Sequence, residues 1–135
     1  MIATLIGIPA LAAAFQFVYY CRSALASTRM AEPSGQLRRA VGLENGKPNC
    51  ADFERLLELV RLCPEQGKDA WPIRCVATYY GSLRLLAHLL EGPLPAAASW
   101  TRREQRACSH FAAVVLDQRI ASSRDLFLER AGDRP

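Results

Sequence analysis

The hydrophobic pattern separates one stretch that has no polar face from several that do. Residues 1–21, MIATLIGIPALAAAFQFVYYC, are apolar almost throughout and carry no charge before Arg22. A helix of roughly 20 apolar residues matches the hydrocarbon thickness of a bilayer. The run therefore predicts a transmembrane anchor over residues 1–22, able to continue as helix to about residue 30. Residues 23–48 hold Ser23, Ser27, Pro33, Ser34, Gly35, Gly42, Gly46 and Pro48 with little helical period. They read as a flexible juxtamembrane tether.

Periodicity returns at Asn49, a good cap for a helix in which Phe53, Leu56, Leu57, Val60 and Cys63 share one face. Pro64 stops that helix. A second is expected from Asp69, with Pro72 tolerated in its first turn, through Ile73, Val76, Tyr79, Tyr80, Leu83, Leu86, Leu89 and Leu90 to Gly92 and Pro93. Gly81 and Ser82 inside it suggest close approach by a neighbour. Thr101 and Glu104 match the capping box of a third helix presenting Ala107, Cys108, Phe111, Val114 and Val115. Ser122 and Ser123 suit the cap of a last short helix whose Leu126, Phe127 and Leu128 close over the core. No segment alternates as a strand does. The expected fold is all-α: an N-terminal transmembrane helix plus a small three- to four-helix domain over residues 49–131, followed by a loose tail at 132–135.

Charge changes the picture mainly by giving the anchor a direction. Arg22, Arg29, Arg38, Arg39 and Lys47 follow the apolar run and nothing basic precedes it. The positive-inside bias puts the domain in the cytoplasm, with the protein in the cell membrane as a single-pass span. Tyr19, Tyr20 and Arg22 are the expected membrane-interface residues. Ala3, Gly7, Ala10 and Ala14 have the small-residue spacing that lets membrane helices pack closely, and Gln16 offers an interhelical hydrogen bond. Pro9 predicts a bend. The competing reading is an exported domain cleaved after Ala26, where Ala24-Leu25-Ala26 fits a signal-peptide site, but the basic n-region is missing. Cys50, Cys63, Cys75 and Cys108 would then supply two disulfides. In the cytoplasm they would be buried free thiols, and Cys21 a thiol facing lipid.

The net charge of +4 is too small and scattered for nucleic acid. Searching for chemistry yields no catalytic, cofactor or metal site. Cys108 and His110 lie two apart, which points them to different faces of a helix, and the other Cys and His residues lack zinc-ligand spacing. No phosphate loop, paired carboxylates or haem motif occurs. A small thiol redox protein using Cys63 or Cys108 is the enzyme-like alternative, and its thiols would have to react fast. The expectation is instead an adaptor or accessory subunit, without cofactor, small-molecule substrate or activity of its own, that binds a protein partner or a second copy. Trp71 and Trp100, with the ridge Arg102, Arg103 and Arg106, are its candidate partner contacts.

Overall fold

The computed structural model describes residues 2–35, 37, 39, 49–63, 70–90 and 94–132, with side chains in the first helix from Ile6 onward. These residues form four helices and no strand: α1 (Ile2–Thr28), α2 (Asp52–Leu62), α3 (Ala70–Leu90) and α4 (Pro95–Gly132). The expected cap at Asp69 and the tail at 133–135 lie outside the described residues.

One 38-residue helix, α4, takes the place of the two short helices expected after residue 95. Pro95 stands at its first position, where a missing N–H costs nothing. No Gly or Pro follows before Gly132, and Ala, Arg, Glu, Gln and Leu favour helix throughout. The capping signals are spent within the helix. Thr101 donates to the Ala98 carbonyl at 2.8 Å, and Ser122 and Ser123 donate to the carbonyls of Gln118 and Arg119 at 2.9 Å. These are back-bonds of an unbroken helix. Leu126, Phe127 and Leu128 consequently ride outward on α4, exposed, instead of closing the core.

The core is built round the middle of α4. Phe111, Ala112, Ala113, Val114, Val115 and Leu116 are all buried, so every face of that segment is covered. Phe53, Leu56 and Val60 of α2 and Val76, Tyr79, Tyr80 and Leu83 of α3 meet it. The Phe53 and Tyr80 rings stack with centroids 4.1 Å apart, and Tyr80 donates to the Cys50 carbonyl at 2.7 Å. At the exposed edge Glu54 pairs with Arg84. α2 begins one turn after Asn49, whose carbonyl accepts from Asp52 N–H while the Asp52 carboxylate accepts from Asn49 N–H. At its other end Arg119, from α4, donates through Nη1 to the Val60 carbonyl at 2.9 Å. That contact occupies a carbonyl near the helix terminus, where a cation also suits the dipole.

Two expectations about close packing are corrected. Gly81 is exposed, and a Cβ added there would meet nothing within 4 Å, so no neighbour compensates its helix cost. Leu86 and Leu89 also face outward, leaving the C-terminal end of α3 an uncovered apolar rim. The segment after α1 is held in its described part, with Pro33 and Leu37 buried. Ser34 bonds Asp117 through both its backbone N–H (3.1 Å) and its hydroxyl (2.6 Å).

Leu56 is fully buried between α2 and α4. Leu56→Ala should therefore cost about 3 kcal/mol, read as a lowered denaturation midpoint in neutral detergent. A loss well under about 1 kcal/mol would mean that α2 does not dock in this way.

Candidate functional site

The unusual feature of the assembly is the way α1 leaves it. The last turns of α1 belong to the core: Cys21 and Leu25 are buried, Thr28 is buried, and Phe17, Val18 and Ala24 pack partly against the cluster. Cys21 is thus no lipid-facing thiol. Its Sγ lies 3.7 Å from the Cys75 carbonyl, to which it donates. Beside it, Glu104 of α4 is buried and accepts from the Tyr79 hydroxyl at 3.2 Å, while Arg22 Nε stands 3.9 Å from its other oxygen. Three helices meet at this carboxylate. Burial, and after it the neighbouring Glu104 charge, hold the Tyr79 phenol well above its usual range.

The direction of α1 follows from its partners. Arg22 meets Glu104, and six residues later Thr28 shares a groove with Gln118, so α1 runs the same way as α4. Tyr79 meets Glu104 while Pro72, seven residues earlier, shares that groove with Val115 and Gln118, which makes α3 antiparallel to both. The N-terminal part of α1 therefore heads for the end of the bundle where α3 stops and α4 starts. There Ile6, Ile8, Leu11 and Phe15 are exposed, Ile8 at 70% and Phe15 at 74%. At that same end Leu86, Leu89, Leu94 and Trp100 are exposed, and Arg84, His88 and Arg102 line an adjoining hollow.

Of the small residues expected to pack membrane helices, Ala10, Ala14 and Gln16 are exposed, and a Cβ on Gly7 would meet nothing within 4 Å. The Ala3 side chain lies outside the described set. Tyr19 and Tyr20 are exposed beside Arg22. Trp100, Arg102, Arg103 and Arg106 are exposed together on α4, whereas Trp71 stands apart at the start of α3. With Tyr79 facing Glu104, the two tryptophans are separated by roughly 18 Å along the bundle at 1.5 Å per residue. They do not make one surface.

Among the described residues, no helix is long and apolar enough to cross a membrane. The described apolar side chains of α1, Ile6 to Cys21, cover about 24 Å of helix against a hydrocarbon core of about 30 Å. Their last turn is taken up by the bundle. Also among the described residues, no group of three or more His, Cys, Asp or Glu side chains could hold a metal ion. All five cysteines are unpaired. Cys108 is completely buried, and burial followed by the nearby Glu104 charge pushes its thiol up to about 12. It stays protonated at neutral pH, the wrong state for a nucleophile.

Three outcomes follow from this geometry. Because the folded thiol of Cys108 resists ionisation while the unfolded one loses its proton near pH 9, its contribution to stability should be constant below pH 9. It should fall as pH rises from about 9 towards 12. In native-state alkylation read by peptide mass, Cys50 and Cys63 should label before Cys21, Cys75 and Cys108. Fast labelling of Cys108 would contradict its burial. Tyr79→Phe, which takes a hydrogen bond from a buried carboxylate, should destabilise the fold by about 1–3 kcal/mol, and an unchanged denaturation midpoint would show that Glu104 does not depend on it. No protein family, curated protein or solved structure matches this chain.

Proposed function

We propose that this chain is a membrane-anchored helical interaction module, an adaptor or accessory subunit whose task is binding and not catalysis. One observation carries the reading: an uncharged apolar helical arm, exposed from Ile6 to Gln16, projects from a bundle to which its own last turns are locked. Exposed apolar surface of that extent marks contact with a membrane or a partner. The run from Ile2 to Gln16, ahead of the turns that pack in the bundle, amounts to about 22 Å of helix, so a crossing requires that end of the bundle to enter the membrane with it. The leucine and tryptophan rim at the end from which α1 departs favours that seating, with Arg102 in the adjoining hollow and Arg103 exposed next to it on α4 for anionic head groups. The arginines after Tyr20 favour a cytoplasmic bundle.

The same arm supports retention over cleavage. A cut after Ala26 would fall inside α1 and carry away Cys21 and Leu25, both core residues. Gly7, Ala10 and Ala14 remain free to meet another membrane helix, and Trp100 with Arg102, Arg103 and Arg106 is the surface we assign to a protein partner.

Flotation with vesicles and carbonate extraction test the anchor. The full chain should stay with the bilayer, and Ile8→Lys with Leu11→Lys should release it, since each charge at mid-bilayer costs about 2.5–3.5 kcal/mol. A full chain that washes off would sink the reading. Crossing is separated from shallow insertion by Ile2→Cys, which an impermeant maleimide should label only from the side opposite the bundle. Gly7→Leu with Ala10→Leu leaves the bundle untouched, because nothing packs there. If α1 associates with another helix, detergent-resistant complexes should be lost in this variant, whereas unchanged complexes would remove the association.

A further inference from the structure

A second feature lies in the part of the bundle away from the projecting arm and does not depend on the membrane reading. Between the end of α2, the start of α3 and the far half of α4 is a groove of about 720 Å³. Its apolar walls include Leu57, Ile73 and Ala77, and its charged residues are Arg61, Arg74 and Arg119. No acidic side chain lines it among the described residues. Arg61 and Arg74 are exposed at its mouth, but Arg119 is only 2% exposed. A guanidinium so far out of water ordinarily has a carboxylate beside it. Among the described residues Arg119 donates from Nη1 to the Val60 carbonyl, and its Nε is buried without a hydrogen-bond partner.

The free edge has a chemical meaning. With Nη1 committed to the backbone, Nε and Nη2 form the side of the guanidinium that grips two oxygens of one anion. Arg61 and Arg74 raise the local positive charge to a value that one carboxylate would not balance. Thr78 adds no competing anion, as its hydroxyl donates to the Arg74 carbonyl at 3.0 Å. The apolar walls leave room for an organic substituent beside the charged group.

We propose that this groove binds a phosphate monoester, with the phosphoryl oxygens on the Nε edge of Arg119 and between Arg61 and Arg74, and with the organic group against Leu57 and Ile73. Phosphate recognition by arginine accounts for a buried cation that the fold itself only half uses. Holding the end of α2 takes Nη1 and leaves Nε without a partner.

The test is calorimetric titration of the full chain, in neutral detergent at low salt, with phenyl phosphate. One-to-one saturable binding is expected, with inorganic phosphate weaker because it lacks the ring. Arg61→Gln and Arg74→Gln should each weaken phenyl phosphate binding by about fivefold, and Arg119→Lys by tenfold or more, since lysine cannot present the fork. Arg119→Lys also removes a helix contact, so the double variant Arg61→Gln with Arg74→Gln, both exposed, decides the matter if that protein fails to fold. Arg102→Gln with Arg103→Gln, elsewhere on α4, should leave binding unchanged. Absence of saturable binding overturns the proposal, and so does binding that the Arg61/Arg74 double variant retains or that Arg102 and Arg103 control equally. Phosphatidate vesicles supply the remaining arm. No competition with phenyl phosphate assigns the site to a free monoester, and full competition assigns the same phosphate chemistry to a lipid head group.

Discussion

The structure depends on the enclosure of α4 between Cys108 and Leu116. A surface helix buries a stripe, but here six consecutive residues, Phe111 to Leu116, are out of water. Covering all sides of a helix requires partners all round it, and this explains the unusual arrangement of so short a chain. α2 and α3 cover two sides. The last turns of α1 cover a third, and the segment at Pro33 to Leu37, fastened through Ser34 to Asp117, reaches a fourth. Ala112 and Ala113 keep the helix narrow at its most crowded level. A small domain buries a modest fraction of its surface, so drawing in α1 enlarges a core that α2, α3 and α4 would leave open at one face.

That enclosure makes Glu104 more than a surface charge. Taking a carboxylate out of water is costly unless donors surround it. The Tyr79 hydroxyl comes from α3 and Arg22 from α1, so the acid is satisfied only when both helices are seated. Arg119 mirrors it just under one turn beyond Leu116, a buried cation whose Nη1 holds the end of α2. The ionic groups at the two ends of the buried stripe thereby specify which helices lie beside α4, while the apolar middle supplies most of the stability.

Much of this was legible in the chain. The apolar faces of α2 and α3 follow from spacing alone, as does the absence of strands, because hydrophobic period is a strong signal over ten residues or more. Thr101 and Ser122 misled for a definite reason: hydroxyl side chains that cap a helix also bond back within one, and only tertiary context decides between the two. Glu104, Cys108, Phe111, Val115 and Arg119 fall at intervals of four, three, four and four, a single helical face. A charged residue at each end of an apolar stripe was therefore visible, but its partners come from residues up to 82 positions away, which no local pattern encodes. Cys21 was hidden in the same way. Inside a uniformly apolar run, a residue that faces protein looks like one that faces lipid.

The apolar run has two claims made on it by one helix. Its final turns are needed by the core of the bundle, and its length is needed if it is to reach across a bilayer. Both demands could be met together only with that end of the bundle, and its leucine rim, entering the membrane, since the turns from Phe17 to Cys21 lie within the bundle. A tether of any length between them would satisfy the membrane and starve the core, since Cys21 and Leu25 would leave their sites. If α1 is a membrane anchor, the bundle cannot swing freely from it. On the anchored reading, a displacement of the N-terminal arm would act first on the turns at Cys21 and Arg22, which touch Cys75 and Glu104.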